Sequence, residues 1–409
     1  MTYTPAPTVT IDGVPVDTVL DGATITRGRD TVDTQARAGY ALLSLLDLEA
    51  TTPPPKLNAE VTVDVDDGSD TLHRLFTGRI SDTETRVVSA GARGRTAVTT
   101  VTATGPLGAL HRGTVNPDGY PQQADGDRIA ALLEDAARVS WPLVAGTWHD
   151  LEPGSWAEFG PPLEVDQPGS YQLAALEPDD IDDPWQAIQQ AADDGLGQLT
   201  ESRRGGIRYT ASRGRLQTVI DTGFVELTAG QIVAADLAAR SSVVELVNTV
   251  AVEYGDGLEV TVADDAAIAD TAAVLARTFP TSLTDPADAA ARAARMLRLY
   301  ARPARSLTSL TLAVDDPDLA PADRAVLLDL DTGTPLRVSE LPAAIGGAFT
   351  GFVESVAWTI TRTAVALTVG VSDYQLSEFT VAWADLTDTA WADTDPATTW
   401  NTAQELTDA

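Results

Sequence analysis

The sequence contains no cysteine in its 409 residues and a single lysine, Lys56. Without Cys there can be no disulfide framework, thiol nucleophile, iron–sulfur cluster or Cys-ligated zinc. Positive charge is scarce altogether: 27 Lys and Arg face 60 Asp and Glu, a formal net charge of −33. A grip on DNA or RNA through phosphates needs clusters of Lys and Arg, so this balance argues against one. The three histidines, His73, His111 and His149, lie far apart, and none sits in a His-Glu-x-x-His motif. They read as surface or packed imidazoles. A Gly-x-Ser-x-Gly elbow, a P-loop and a nucleotide fingerprint are all missing. Paired carboxylates occur everywhere in so acidic a chain and therefore identify no site. The longest mostly apolar stretch, around Tyr40 to Leu46, is far short of the ~20 residues of a membrane span. Met1 to Pro7 has neither a basic nor an apolar leader region, so the expectation is a soluble protein made in the cytoplasm.

Apolar residues still make up 44%, enough for real cores. The length suggests two or three domains. Abundant Thr and Val with 31 Gly and 24 Pro favour strands over helices. Residues 1–110 read as a β-barrel-like or sandwich-like domain. Thr8-Val9-Thr10-Ile11 precedes the turn pair Asp12-Gly13, and Val14-Pro15-Val16 resumes. Thr24 to Arg29 and Ala38 to Leu45 follow as strands, and the Pro53-Pro54-Pro55 run marks a loop. Val61, Val63 and Val65 alternate with polar residues, predicting a half-buried strand. Leu72 to Ile80 and Thr96 to Thr104 complete the set.

Residues 111–240 read as an α+β insert. Arg128 to Ala137 has helical apolar spacing. Asp183-Pro184 provides an N-cap and N1 for a helix that stops at Gly195. A hairpin over Gly197–Thr210 follows. Residues 241–376 return to strands, at Thr249–Tyr254, Leu307–Leu312 and Val353–Val369, with one helix after Asp285-Pro286. Arg295 and Arg298 stand near that helix's last turn, the end that favours positive charge.

A long-range echo links the outer segments. Leu75-Phe76-Thr77-Gly78-Arg79-Ile80 recurs as Ala348-Phe349-Thr350-Gly351-Phe352-Val353, at an offset of 273 residues. Arg95-Thr96-Ala97-Val98 recurs as Arg362-Thr363-Ala364-Val365, at an offset of 267. Two echoes in the same order imply two similar β-domains around the insert. Phe76 and Phe349 are the candidate core residues, while Gly78 and Gly351 permit a bulge or a close approach.

Other clusters read as bland. Asp64 to Asp70 resembles a calcium loop, but its Gly stands fifth and no Glu stands twelfth, so it reads as a turn. The acidic run Glu177 to Asp183 reads as a solvated loop. Arg203, Arg204, Arg208, Arg213 and Arg215 form a local basic patch, either a contact for an acidic neighbour or an exposed hairpin. Residues 377–409 form a low-complexity strip in which Trp383, Trp391 and Trp400 are spaced by eight and nine. Trp in a polar terminal strip favours contact with a partner.

In order, the chain shows Thr24 to Arg29, Leu75 to Ile80, an α+β insert, Asn248-Thr249-Val250-Ala251-Val252, an Ala/Arg-rich helix and Phe349-Thr350-Gly351-Phe352-Val353. This order resembles the tail-hub minor tail proteins of long-tailed actinobacteriophages, which are similar to baseplate hubs. The resemblance implies a homotrimer at the tail tip in which two barrel-like domains per chain adapt a sixfold tail tube to a threefold tip. It implies a distal tail protein, a tape-measure protein and tip or fibre proteins as partners, no cofactor, no catalysis, and a place in the virion after assembly in the host cytoplasm. DNA would pass without specific binding, kept sliding by an acidic lumen. Two alternatives remain open on the residues: a host cell-wall or glycan-binding tail component with Trp as platform, and a carboxylate-based hydrolase of cell-wall polymers.

Overall fold

The computed structural model describes residues 5–16, 19–30, 34–69, 71–91, 94–140, 162–212, 214–232, 246–301 and 306–373, with Tyr3, Leu237 and the pair Ala239–Arg240. The Trp strip 377–409, and with it Trp383, Trp391 and Trp400, lies outside the described residues, as does His149.

The chain is mainly β. It opens with β1 (Pro7–Ile11), β2 (Val14–Pro15), β3 (Val19–Gly28), β4 (Arg37–Asp47), β5 (Glu60–Asp66), β6 (Leu72–Gly91) and β7 (Gly94–Thr104). The middle holds β8 (Gln123–Ala124), α1 (Asp125–Ser140), β9 (Leu163–Val165), β10 (Gln172–Leu173), α2 (Pro184–Asp194), β11 (Gln198–Glu201), β12 (Ile207–Thr210) and α3 (Gly214–Thr222). Next come β13 (Val225–Thr228), β14 (Ala239–Arg240), β15 (Thr249–Tyr254), β16 (Leu258–Ala263), α4 (Asp265–Thr271), β17 (Ala276–Pro280) and α5 (Pro286–Tyr300). The chain closes with β18 (Ser306–Leu307), β19 (Ser309–Ala313), α6 (Pro321–Leu328), β20 (Pro335–Ser339), β21 (Phe349–Thr361) and β22 (Val365–Asp373).

Local chemistry accounts for many boundaries. Asp183 caps α2 by accepting from Trp185 N, with Pro184 beside it in the first turn. Asp285 does the same for α5 through Ala287 N, and Asp264 for α4 through Ala267 N. Asp12 and Gly13 both adopt positive φ in the turn between β1 and β2. The alternation of β5 was misleading. Thr62 and Asp64 are buried along with Val61, Val63 and Val65, because each polar side chain has a local partner: Thr62 Oγ1 meets Thr10 Oγ1 at 2.5 Å, and Asp64 accepts from Arg74 Nε at 2.6 Å.

One twelve-stranded sheet runs through both ends of the chain, in the order β13-β20-β21-β3-β4-β7-β6-β5-β1-β2, with β22 and β19 branching from β21. β1 returns beside β3, curling the first unit round its core. The second unit folds round β20, β21, β22 and β19, and Ile232 bridges to Leu312 on the outer side of β19. The two units are not separate. β3 pairs antiparallel with β21 from Gly22–Thr361 to Gly28–Ser355, and one apolar core contains Ile25, Leu43, Phe76, Val356, Trp358 and Leu367 together.

The second core changes the reading of the middle. α1, α2, β11 and β12 share it with β15 and α5, through Leu132, Ile188, Tyr209, Val250 and Leu297. Residues 246–301 therefore pack with the insert, although in sequence they fall after the expected boundary at 240. The reason is polar as well as apolar. Arg292 and Arg295 of α5 are buried and donate not at their own helix end but to the carbonyls of Asp193, Asp194 and Leu196 at the end of α2.

Candidate functional site

The first echo occupies equivalent positions in the two units. Phe76 and Phe349 are both buried, on β6 and β21. Phe76 pairs with Val63 and Gly78 with Val61; Phe349 pairs with Val338 and Gly351 with Leu336. A Cβ on Gly78 would lie 2.6 Å from Phe76 Cζ and 2.5 Å from Thr104 O. A Cβ on Gly351 would lie 2.5 Å from Phe349 Cζ and would overlap Ser372 O. Each ring thus covers the glycine two residues on. A bulge follows at the same distance in each: the β6–β7 register shifts between Ile80 and Asp82, and the β21–β22 register between Val353 and Ser355.

The second echo does not coincide. In register, Thr102 of β7 corresponds to Gly370 of β22 and Ala103 to Val371, an offset of 268 rather than 267. Arg95-Thr96-Ala97 lies within β7, whereas Arg362-Thr363-Ala364 is the turn between β21 and β22. The hairpin of the first unit is simply longer, so similar tetrapeptides sit at different heights.

The bulge residue separates the units chemically. In the first it is Ser81, exposed, donating to Thr102 O at 3.2 Å. In the second it is Glu354, buried, where three parts of the chain meet. Arg29, just past β3, donates through Nε to Glu354 Oε2 at 2.6 Å. Arg215 of α3 donates to Glu354 Oε1 at 2.8 Å and Oε2 at 3.0 Å. Gln198 of β11 donates at 3.0 Å, and Ser372 of β22 also donates. Burial by itself would raise the Glu354 carboxyl, but Arg215 and Arg29 outweigh it and hold the group well below the usual carboxylate range. Arg215 also stacks on the Phe352 ring, 5.0 Å from its centroid.

A second carboxylate ties the insert to the first unit. Glu201, at the end of β11, accepts from Gly39 N and from Leu107 N, each at 2.6 Å. Burial pushes it up to about 7, against the two backbone N–H groups and Arg27. Arg27 donates to Glu201 O at 3.0 Å and to Asp331 Oδ1 at 2.5 Å, reaching the second unit. Within the insert, Asp125 accepts from Ser170 N, Tyr171 N and the Tyr209 hydroxyl, and burial raises its carboxyl. These three carboxyl groups are buried, and each has several hydrogen-bond partners. Their arrangement holds three segments in one fixed relation.

The basic patch dissolves in the structure. Arg203 donates to Asp329 Oδ1 at 2.5 Å and Leu328 O at 3.2 Å, spanning from the insert to α6. Arg208 pairs with Glu164, and Arg215 is buried on Glu354 rather than exposed on a hairpin. Arg204 is exposed, beside Asp64, Leu72 and Arg74; Arg213 lies outside the described residues. His73 is packed between Asp329 and Asp67, and His111 meets Asp183 at 2.6 Å. Among the described residues, no group of His, Asp and Glu is arranged to hold a metal ion. A cleft of about 260 Å³ borders α2, lined by Asp180, Asp182, Asp183, Gln186 and Ser282. Its Ser282 Oγ donates to Asp194 Oδ2 at 2.5 Å, and no histidine stands among its lining residues.

The buried junction was missed by sequence reasoning. Glu354 stands inside the apolar run Phe352-Val353-Glu354-Ser355-Val356. A lone charge in a strand otherwise fit for the core is a signal that a buried partner of opposite sign exists.

No family model matches the sequence, and no curated protein matches it. Among solved structures, the fold resembles the 43 kDa tail protein of prophage MuSo2 from Shewanella oneidensis, with a TM-score of 0.60 at 13% identity, covering 92% of this chain and 100% of that one. It equally resembles the tail protein from Neisseria meningitidis MC58, with a TM-score of 0.60 at 11% identity, covering 92% and 98%. Over nearly its whole length, the chain has the fold of these two tail proteins.

Proposed function

We propose that this chain is a structural part of a phage tail, carries no catalytic activity, and forms the hub at the tail tip as a homotrimer. The observation that carries the reading is the likeness to the MuSo2 tail protein, which extends over 92% of this chain and all of that one. The paired Phe-x-Gly strands with their matching bulges support it, because they give each chain two similar units. Three such chains would present six similar surfaces on a threefold ring, able to join a sixfold tube to a threefold tip. The buried Glu354 and Glu201 junctions support a rigid adaptor, since they fix the two units and the insert together. In this reading Trp383, Trp391, Trp400 and the exposed Arg204 contact neighbours: a distal tail protein, a tape-measure protein, or tip and fibre proteins. The charge of −33 keeps passing DNA from sticking to the ring.

Cryo-microscopy of particles carrying this chain tests the proposal. The expected image has three copies at the tail tip, with six β units around an acidic channel. A copy number that is not a multiple of three, or a position away from the tip, overturns it.

A further inference from the structure

The two halves of the repeat differ in one respect. On β21, the side facing away from β22 is occupied twice: β20 pairs with Phe349–Phe352, and beyond the bulge β3 pairs with Ser355–Thr361. On β6, the side facing away from β7 carries β5 along Leu72–Arg79. Beyond the bulge, the stretch equivalent to Ser355–Thr361 is Asp82–Val88, at the same offset of 273 residues. Among the described residues, no strand pairs with that edge of Asp82–Val88.

The side chains tell the same story. On β21, Val356, Trp358 and Ile360 face the core, opposite Val369, Leu367 and Val365, and all are buried with β3 alongside. Their counterparts on β6 are Thr83, Thr85 and Val87, opposite Val101, Thr99 and Ala97. Val101 and Ala97 are buried, yet Val87 on the same face is 58% exposed. The sheet continues past its cover. An edge of this length with an exposed Val is a template for a further strand: Asp82–Val87 contains no Pro and keeps an unbroken register with β7, the next bulge coming at Val88.

We propose that the Asp82–Val88 edge of β6 is the docking site for a second copy of this chain, which adds a strand antiparallel to it as β3 adds to β21 within one chain. The inference rests on the trimeric hub reading and names its contact. The second unit offers a matching donor position: as β3 pairs with β4, β14 pairs antiparallel with β18, the strand leading into β19. Each unit then hands a strand to the next, first within a chain and then between chains. The contact is heterologous, and rotation closes it into a ring. Its polarity fits the difference in lifetime. The internal junction is sealed by Val356, Trp358 and Ile360, whereas Thr83, Thr85 and Val87 tolerate water before assembly.

Backbone hydrogen exchange on the full chain, below and above the concentration at which sedimentation shows assembly, tests this. The alternate amides of Asp82–Val88 that point away from β7 should exchange fast in the monomer and at least ~10-fold more slowly in the oligomer. A Val87→Asp variant, altered at an exposed position, should keep the monomer's melting temperature and assemble at least ~10-fold more weakly. An oligomer with unchanged exchange in Asp82–Val88, or unaffected by Val87→Asp, overturns the edge proposal and leaves the hub reading standing. Slow exchange already in the monomer means the chain covers its own edge, and also overturns it. A monomer at every concentration overturns both.

Discussion

Arg29 Nε donates to Glu354 Oε2 at 2.6 Å across 325 residues of sequence, with both side chains 4% exposed. Arg215 reaches the same carboxylate from the insert. Removing the acid takes the shared carboxylate away from two buried guanidinium groups. Glu354→Gln should therefore destabilise the fold by about 3–5 kcal/mol, read as a lower denaturant midpoint. A loss below about 1 kcal/mol would show that the junction does not hold the units together.

The two buried glutamates give opposite pH dependence. Glu354 is held below its ordinary range, so its contribution is complete above the unfolded value near 4.5 and is lost as pH falls below it. Glu201 is raised to about 7, so the folded state binds its proton more tightly than the unfolded chain does. Stability from Glu201 is complete below about 4.5 and disappears as pH rises through about 7, a change on the order of 3 kcal/mol at about 1.4 kcal/mol per unit. Denaturation of the wild type and of Glu201→Gln at pH 5 and pH 8 separates the two: the wild type should lose more between these values than the variant. Equal losses refute the assignment.

Gly78→Ala and Gly351→Ala should each destabilise by about 1–3 kcal/mol, because the added methyl meets a ring and a backbone carbonyl. The two values should be of similar size if the positions are structurally equivalent. A neutral effect at one position, measured by thermal unfolding, would break the equivalence.

Salt should promote self-association. Each copy brings a formal charge of −33, so copies repel one another at low ionic strength, and screening reduces the cost. Sedimentation from about 0.02 to 0.5 M salt should show the oligomer gaining population. Dissociation on adding salt would point instead to a contact dominated by opposite charges.

How much was legible follows the range of the interactions. The Asp183 and Asp285 caps and the Asp12-Gly13 turn are set by neighbours within a few residues, and each stands where sequence places it. The short helices α3, α4 and α6 were not foreseen. Their propensities are weak, and packing such as that of Val219 and Phe224 on Phe352 decides them. The Arg patch reads as one feature in sequence because its members are close along the chain. In space they part, to Asp329, Glu164 and Glu354.

Sequence by itself determined the absence of thiol chemistry, the caps of α2 and α5 and the recurrence of Phe-x-Gly. These follow from residue type and from spacing that the local backbone geometry fixes. Only the tertiary structure decided that β3 crosses to β21, that residues 246–301 pack with the insert, that the Glu201 carboxyl is pushed up and the Glu354 carboxyl down, and that one repeated edge is paired while its counterpart has no strand beside it among the described residues. Those outcomes depend on which distant segment comes alongside, and on whether it brings a guanidinium, a backbone N–H or nothing.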